Sequence, residues 1–304
     1  VARSASDKMG ILKVEGGYHG SYDPFVVSAK PPLDKAGDPE EPTAVIDSNL
    51  VAGDIYVVPY NNIPALEAMF EKNASKIACF IVEPVLENLA IILPDEGYLE
   101  RVRELCDEYN VILIFDEVKT GLTAGAHGAS VRLGVEPDLI TLAKSIGGGV
   151  PLAAFGGKKK YMDFVTNGKM AHFGTFNGNP LAMAGVRAID RLCSDQALAD
   201  AEALNQQALD RISEIIDEYQ LPAHTVGFGV KGCVTWSTTP VRNYRDYKAT
   251  DFGIAEAHWL FALNRGIITP PGLDEQWLIS LAHGQTEIDL LVEDFREFAK
   301  ALRA

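Results

Sequence analysis

Short, unbroken apolar runs alternate with amphipathic stretches through the first two thirds of the chain. Lys13-Val-Glu-Gly-Gly-Tyr-His reads as a short strand running into a glycine-loosened loop, and Asp54-Ile-Tyr-Val-Val-Pro as the next strand. Residues 63–72 form a helical pattern with Leu66, Met69 and Phe70 on one face. Ile77-Ala-Cys-Phe-Ile-Val-Glu83 is apolar throughout and predicts a fully buried strand. Residues 97–109 are amphipathic, with Leu99, Val102, Leu105 and Cys106 on the apolar stripe. Strands ending at Asp116 and Lys144 follow, then Leu152-Ala-Ala-Phe155 leading into Gly156-Gly157. Strands alternating with helices predict an α/β fold with a mostly parallel sheet and right-handed crossovers.

Further along, helical patterns dominate residues 180–219, and residues 227–238 read as a β segment. Residues 252–264 read as a helix, 277–282 as a strand and 286–302 as a terminal helix. Thr286 followed by Asp289 resembles a capping box at the start of that last helix. The expected division is a large domain over residues 1–190 and a smaller C-terminal α+β domain over residues 191–304. Residues 37–42, acidic and rich in Pro and Gly, predict an exposed loop.

Composition narrows the functional classes. The net charge of −15 argues against nucleic acid and anionic membranes as partners, since both call for basic patches. The basic run Lys158-Lys159-Lys160 sits among turn residues and reads as a solvated corner. No apolar run approaches the ~20 residues needed to span a bilayer. Cys79, Cys106, Cys193 and Cys233 lack metal-like spacing and read as reduced thiols of a cytoplasmic protein, with no metal site expected.

Two of the strands carry the chemistry. Val111-Ile-Leu-Ile-Phe-Asp116 ends on an acid, and Asp138-Leu-Ile-Thr-Leu-Ala-Lys144 ends on an amine before Ser-Ile-Gly-Gly-Gly. A charge at the carboxyl end of a buried parallel strand lies at the crevice where α/β proteins bind ligands. A lysine and a carboxylate so placed are what a pyridoxal 5'-phosphate (PLP) enzyme needs: one forms a Schiff base, and the other keeps the pyridinium nitrogen protonated. On these two residues alone, a buried Asp–Lys ion pair is an equal reading. Val118, two positions beyond Asp116, is placed to press on a ring face from the same side of the strand.

The flanking motifs extend the pattern. Tyr18-His19-Gly20, Val82-Glu83-Pro84, Ile-Phe-Asp116-Glu-Val118-x-Thr-Gly, Leu-Ala-Lys144-Ser-Ile-Gly-Gly-Gly and Phe-Gly-Thr175-Phe-Asn-Gly-Asn-Pro180 occur in that order. Together they resemble the class III aminotransferases of PLP fold type I, in the branch around glutamate-1-semialdehyde 2,1-aminomutase. The resemblance runs from about residue 14 to about residue 190 and is weaker beyond. It implies that Tyr18 stacks on the cofactor ring opposite Val118, and that Glu83 lies near the phenolic oxygen, where a structural role fits equally well. His19 is either a turn residue or a cofactor contact. The resemblance also implies that Thr175 reaches the cofactor phosphate of a neighbouring subunit, making the enzyme a homodimer. Glu83-Pro-Val-Leu-Glu-Asn88 follows the aminomutase pattern and suggests a substrate contact for Asn88. Lys119 departs from the family, which has Gln or Met there; its charge would be repelled at the site or would pair with Glu83. The first residues read as mid-helix, and the resemblance implies an N-terminal segment of roughly a quarter to a third of a complete member before them.

The resulting expectation is PLP-dependent transfer of an amino group between an amino acid or amine and a keto acid or aldehyde, with Lys144 and Asp116 as the catalytic pair. The alternatives are an intramolecular aminomutase, hence an isomerase, and a non-catalytic fragment of such an enzyme. Arg132, Arg187 and Arg265 have no spacing that singles one out for a substrate carboxylate.

Overall fold

Continuous apolar runs become the interior strands of a six-stranded sheet in the computed structural model, which describes residues 1–46, 49–50, 53–271 and 276–303. In chain order the first part contains α1 (Ala2–Ser6), β1 (Gly10–Val14), α2 (Asp23–Val26), β2 (Ile55–Val58), α3 (Ile63–Asn73) and β3 (Ile77–Val82). It continues with α4 (Tyr98–Glu108), β4 (Ile112–Asp116), α5 (Gly128–Leu133), β5 (Leu139–Ala143), β6 (Ala153–Gly157) and α6 (Lys159–Thr166). The sheet order is β2-β1-β3-β4-β5-β6, parallel from β2 to β5. β6 pairs with β5 antiparallel, because the link from Ala143 to Ala153 is too short for the crossover a parallel neighbour requires.

The later part comprises α7 (Pro180–Leu192), α8 (Asp195–Glu218), β7 (His224–Phe228), β8 (Lys231–Thr235), α9 (Tyr244–Lys248), α10 (Phe252–Asn264), β9 (Trp277–Leu278) and α11 (Gln285–Arg303). β7, β8 and β9 form an antiparallel three-stranded sheet. Three expectations change here. The β segment at 227–238 is a hairpin that turns between Phe228 and Lys231, with Gly229 at φ +60°. The strand expected over 277–282 keeps only Trp277 and Leu278, which pair with Gly232 and Lys231. The last helix is not capped by Thr286 and Asp289. Glu287 instead reaches back to the backbone N–H of Gly284 at 2.8 Å, while Asp289 is drawn off to Arg211 at 2.6 Å.

Burial explains why the sheet is so apolar. Leu12, Val14, Phe80, Val82, Leu113 and Phe115 belong to a core that continues into α8, β8 and α11 through Ile212, Ile215, Val234 and Phe295. Ile11, Val57, Cys79, Ile81, Ile112 and Leu139 build a second cluster with Ala2 and Val27. Side chains alternate across a strand, so the odd and even positions of β1 separate into these two clusters. The basic corner is not wholly solvated: Lys158 Nζ lies 2.9 Å from the buried Asp138 carboxylate, which also accepts from Arg103 at 3.0 Å. Among the described residues, no helix is long and apolar enough to cross a membrane, and no His/Cys/Asp/Glu group could hold a metal. The cysteines are free thiols, with Cys79, Cys106 and Cys233 buried.

His258 on α10 provides a test of this packing. Its ring stacks on Phe298 at 4.9 Å and meets Phe295 and Trp236 edge-on, an apolar setting that pushes the imidazole down to about 4. The unfolded chain, with a histidine near the usual 6.5, therefore binds the extra proton first, so stability falls as pH drops from about 6.5 towards 4. In His258→Phe that part of the acid-side loss should disappear from denaturant-unfolding curves measured between pH 7 and pH 4. An unchanged pH slope would refute the assignment.

Candidate active site

Parallel strands that end together bring their terminal residues to one edge. Ile81 pairs with Ile114, and Asp116 with Thr141, which sets Glu83, Asp116 and Lys144 along the carboxyl edge of β3, β4 and β5. A cavity of about 240 Å³ opens there, lined by Tyr18, His19, Glu83, Asn88, Asp116, Val118 and Lys144 together with Gly20, Phe25, Ile81, Lys119 and Thr141. Of the residues expected from the sequence, all but Thr175 meet in this cavity.

Asp116 is the most heavily supported group. Its Oδ2 is 2.8 Å from His19 Nδ1, while Oδ1 accepts from the Val118 N–H and the Thr141 hydroxyl, each at 3.1 Å. Burial alone would raise its pKa, yet the hydrogen bonds from His19, Val118 and Thr141 hold the carboxyl below its ordinary value, so it stays ionised. Burial lowers the His19 imidazole more than the aspartate raises it, which leaves a neutral ring with its proton on Nδ1 facing the carboxylate. His19 is therefore the partner of Asp116 and not a bare turn residue. Val118 reaches the cavity from the turn after β4, since the strand stops at Asp116. Its neighbour Glu117 points the other way and accepts the N–H groups of Ala129 and Ser130 at 2.6 and 2.9 Å, anchoring that turn to α5.

Lys144 begins a 3-10 turn (Lys144–Gly147) after β5 and adopts φ +52°. A left-handed conformation costs a non-glycine residue about 1–2 kcal/mol, the kind of strain found where geometry serves a site. Helix α7 packs on this turn, and a Cβ at Gly185 would lie 2.6 Å from the Gly147 carbonyl oxygen. Only glycine permits that approach.

Glu83 is buried, and burial followed by the Asp116 charge pushes its carboxyl up to about 7. It is not loose: Oε2 accepts from Asn88 Nδ2 at 2.9 Å and from the Glu87 N–H at 3.2 Å, and Oε1 accepts from the Tyr18 N–H at 3.3 Å. The Lys119 ammonium donates to the Glu87 carbonyl at 2.9 Å, and its charge acts on both glutamates from there. Glu87 in turn forms a buried pair with Lys231 of β8 at 2.6 Å.

Thr175 stands apart. The stretch 171–178 is exposed, with Phe173 and Phe176 at 94% and 81% accessibility, and leads into α7, where Asn179 caps the Ala182 N–H at 2.9 Å. Arg132 pairs with Glu202 and Arg265 with Asp294, both away from the cavity. The residues that sequence reasoning missed are Thr141, Phe25 and Lys13. Thr141 lies opposite Asp116 in register; Lys13 interrupts the apolar run Ile11-Leu12-Lys13-Val14, the same anomaly that marked Lys144.

Known proteins are similar to this chain in both sequence and fold. The family model described as aminotransferase class-III matches residues 1–255. A glutamate-1-semialdehyde 2,1-aminomutase of Francisella philomiragia subsp. philomiragia is 36% identical over 295 residues, covering 95% of this chain and 67% of that protein. The crystal structure of an omega-transaminase from Sphaerobacter thermophilus superposes with a TM-score of 0.92 at 28% identity, covering 100% of this chain and 70% of that one. A glutamate-1-semialdehyde-aminomutase from Pseudomonas aeruginosa PAO1, solved in complex with PMP, gives a TM-score of 0.87 at 27% identity, covering 99% of this chain and 68% of that one. Sequence and fold agree across nearly the whole chain, and the motif-bearing strands lie inside the matched region: the chain belongs to the class-III aminotransferases.

Proposed function

We propose that this chain transfers an amino group between an amino acid or amine and a keto acid or aldehyde, with pyridoxal 5'-phosphate held at the carboxyl ends of β3, β4 and β5. The observation that carries the reading is that an ionised Asp116 and the strained Lys144 open into one cavity. The residues fit the cofactor. Asp116 Oδ2 accepts one hydrogen bond from protein and, with two lone pairs, has room for a second from a pyridinium N–H. Bound PLP supplies an aldehyde that takes up amines and a ring that draws off an electron pair.

The chain's own residues do the rest. Lys144 Nζ is the amine that would hold the cofactor aldehyde and that, when free, would move a proton at the reacting carbon. Asp116 keeps the ring nitrogen protonated by its negative charge, and His19 fixes the direction of that carboxylate. With the cofactor bound there, Tyr18 and Val118 would cover the two ring faces, Glu83 would face the phenolic oxygen, and Asn88 would contact substrate. Glu83, held near neutrality, can accept or donate there as the oxygen's charge changes. Thr175 on its exposed loop serves the phosphate of a second subunit in a homodimer. The exposure of Phe173, Phe176 and Leu181 supports a partner over that loop. The six-stranded sheet lies within residues 1–190 and the three-stranded one within residues 191–304, which supports a division there. Free thiols support a reducing, cytoplasmic compartment.

An aminomutase reading is favoured by the name of the Francisella relative. The two separate by demand for a second substrate: repeated turnover of a single amino-aldehyde acid without a keto acceptor marks the mutase, and dependence on the acceptor marks the transaminase.

Three outcomes test the site. Borohydride reduction of the PLP-loaded protein should attach the cofactor to Lys144, and Lys144→Ala should lose the label; persistent labelling at another lysine would overturn the assignment. Asp116→Asn should keep the fold by circular dichroism but lower turnover by about 10²-fold or more, as expected when a preorganised electrostatic contact is removed. Near-normal turnover would sink the role given to Asp116. Mixing Lys144→Ala with Thr175→Ala subunits should restore partial activity, because one site of the heterodimer then carries both lesions and the other neither. No recovery in verified heterodimers would assign Thr175 to its own chain's site.

A further inference from the structure

Lys13 is fully buried on β1, between β2 and β3, and among the described residues no carboxylate accepts a hydrogen bond from it. Its ammonium donates to three main-chain carbonyls, those of Gly17 at 2.9 Å, Phe25 at 2.7 Å and Val27 at 2.8 Å. An ammonium has three N–H donors, so all of them are spent on one segment. That segment, residues 17–27, leaves β1 and carries Tyr18, His19, Gly20 and Phe25 onto the cavity. Within it, the Gly17 N–H reaches the Val14 carbonyl at 3.2 Å, the Tyr18 N–H reaches Glu83, His19 reaches Asp116, and Val27 and Phe25 pack on the cluster around Ile11 and Ile81. The ammonium is the group that ties both ends of the segment, Gly17 and Val27, to one point.

From this geometry we infer that Lys13 is a positioning residue, an internal clasp that folds residues 17–27 over the strand ends and so delivers Tyr18 and His19 to the cofactor. The inference rests on the PLP reading above for what the loop contacts, while the clasp itself stands on the three hydrogen bonds. Lys13 occupies the same sheet face as Ile81, with which it pairs in register, so it lies one step below the Glu83 and Asp116 level. The charged and titratable groups acting with it there are Glu83, whose charge favours the ammonium, and His19, whose protonated form the ammonium opposes. A cation beneath this pocket therefore also helps to keep the His19 ring neutral and its Nδ1–H directed at Asp116. Desolvation lowers the lysine to about 7, against the opposing pull of the Glu83 charge, and the three carbonyl acceptors match the three N–H groups of its protonated form.

The test uses Lys13→Met, of similar length but without donors, in the full chain. Hydrogen–deuterium exchange of the protein without cofactor should rise at least tenfold across residues 17–27 while the amides of β3 and β4 keep their protection. The dissociation constant for PLP should rise at least tenfold, yet at saturating PLP borohydride should still label Lys144 in equal proportion to wild type. A residue that only contributed to global stability would raise exchange everywhere and would not separate affinity from labelling. Should Lys13→Met fail to fold, Lys13→Gln, with two donors in place of three, should give the same local pattern at smaller amplitude. Exchange over 17–27 and PLP affinity within twofold of wild type in a folded variant would overturn the clasp. If the wild-type protein takes up no PLP, the functional reading fails, and the exchange comparison alone still decides whether Lys13 holds the loop.

Discussion

A carboxylate stays ionised inside a protein only where donors replace the water it has lost, and this structure is arranged around one such carboxylate. Asp116 draws its donors from three places: a histidine from the loop after β1, a hydroxyl from β5 and a main-chain N–H from its own turn. Each donor binds a different segment to the same point. The loop carrying Tyr18, the strand leading to Lys144 and the turn carrying Val118 therefore converge because one acid must be satisfied. The parallel register makes this economical, since neighbouring strands end at the same level.

The remaining buried charges repeat the theme with different partners. Glu83 shares its oxygens among an amide and two backbone donors and is left near neutrality, because burial disfavours its charge and the adjacent Asp116 already holds a negative one. Glu87 takes Lys231, so the charge network of the cavity wall extends into the three-stranded sheet. Truncating one member of such a pair leaves the other buried and unpaired, which is more damaging than never having had the pair. The region is thus sensitive to single changes well outside the cavity itself.

Much of this was legible in the sequence, for identifiable reasons. A strand buried on both faces has to be apolar throughout, so β3 and the body of β4 announce themselves, as does the equally apolar, half-buried β5, and a charge at the end of such a run is conspicuous. What was not legible depends on contacts between distant segments. Nothing in Leu152-Ala-Ala-Phe155 encodes that β6 runs antiparallel; the shortness of the preceding link does. The partner of His19 is 97 positions away, and the Glu87 carbonyl that accepts from Lys119 is set by a turn whose path no local pattern fixes. Lys13 is the instructive omission: an ammonium inside an apolar strand was visible, but its acceptors are main-chain carbonyls, which every sequence contains and none advertises.

The tight seat of α7 on the lysine turn has an evolutionary consequence. Gly185 faces the Gly147 carbonyl with no room for a methyl group, and the same helix is capped by Asn179, directly after the exposed threonine loop. Two places to which the proposal gives separate chemical duties therefore hang on one rigid rod. Drift at Gly185 would register as loss of activity although that residue lines no part of the cavity. A lineage that altered the loop would be pressed to change the lysine turn with it, so the two should vary together across descendants of this chain.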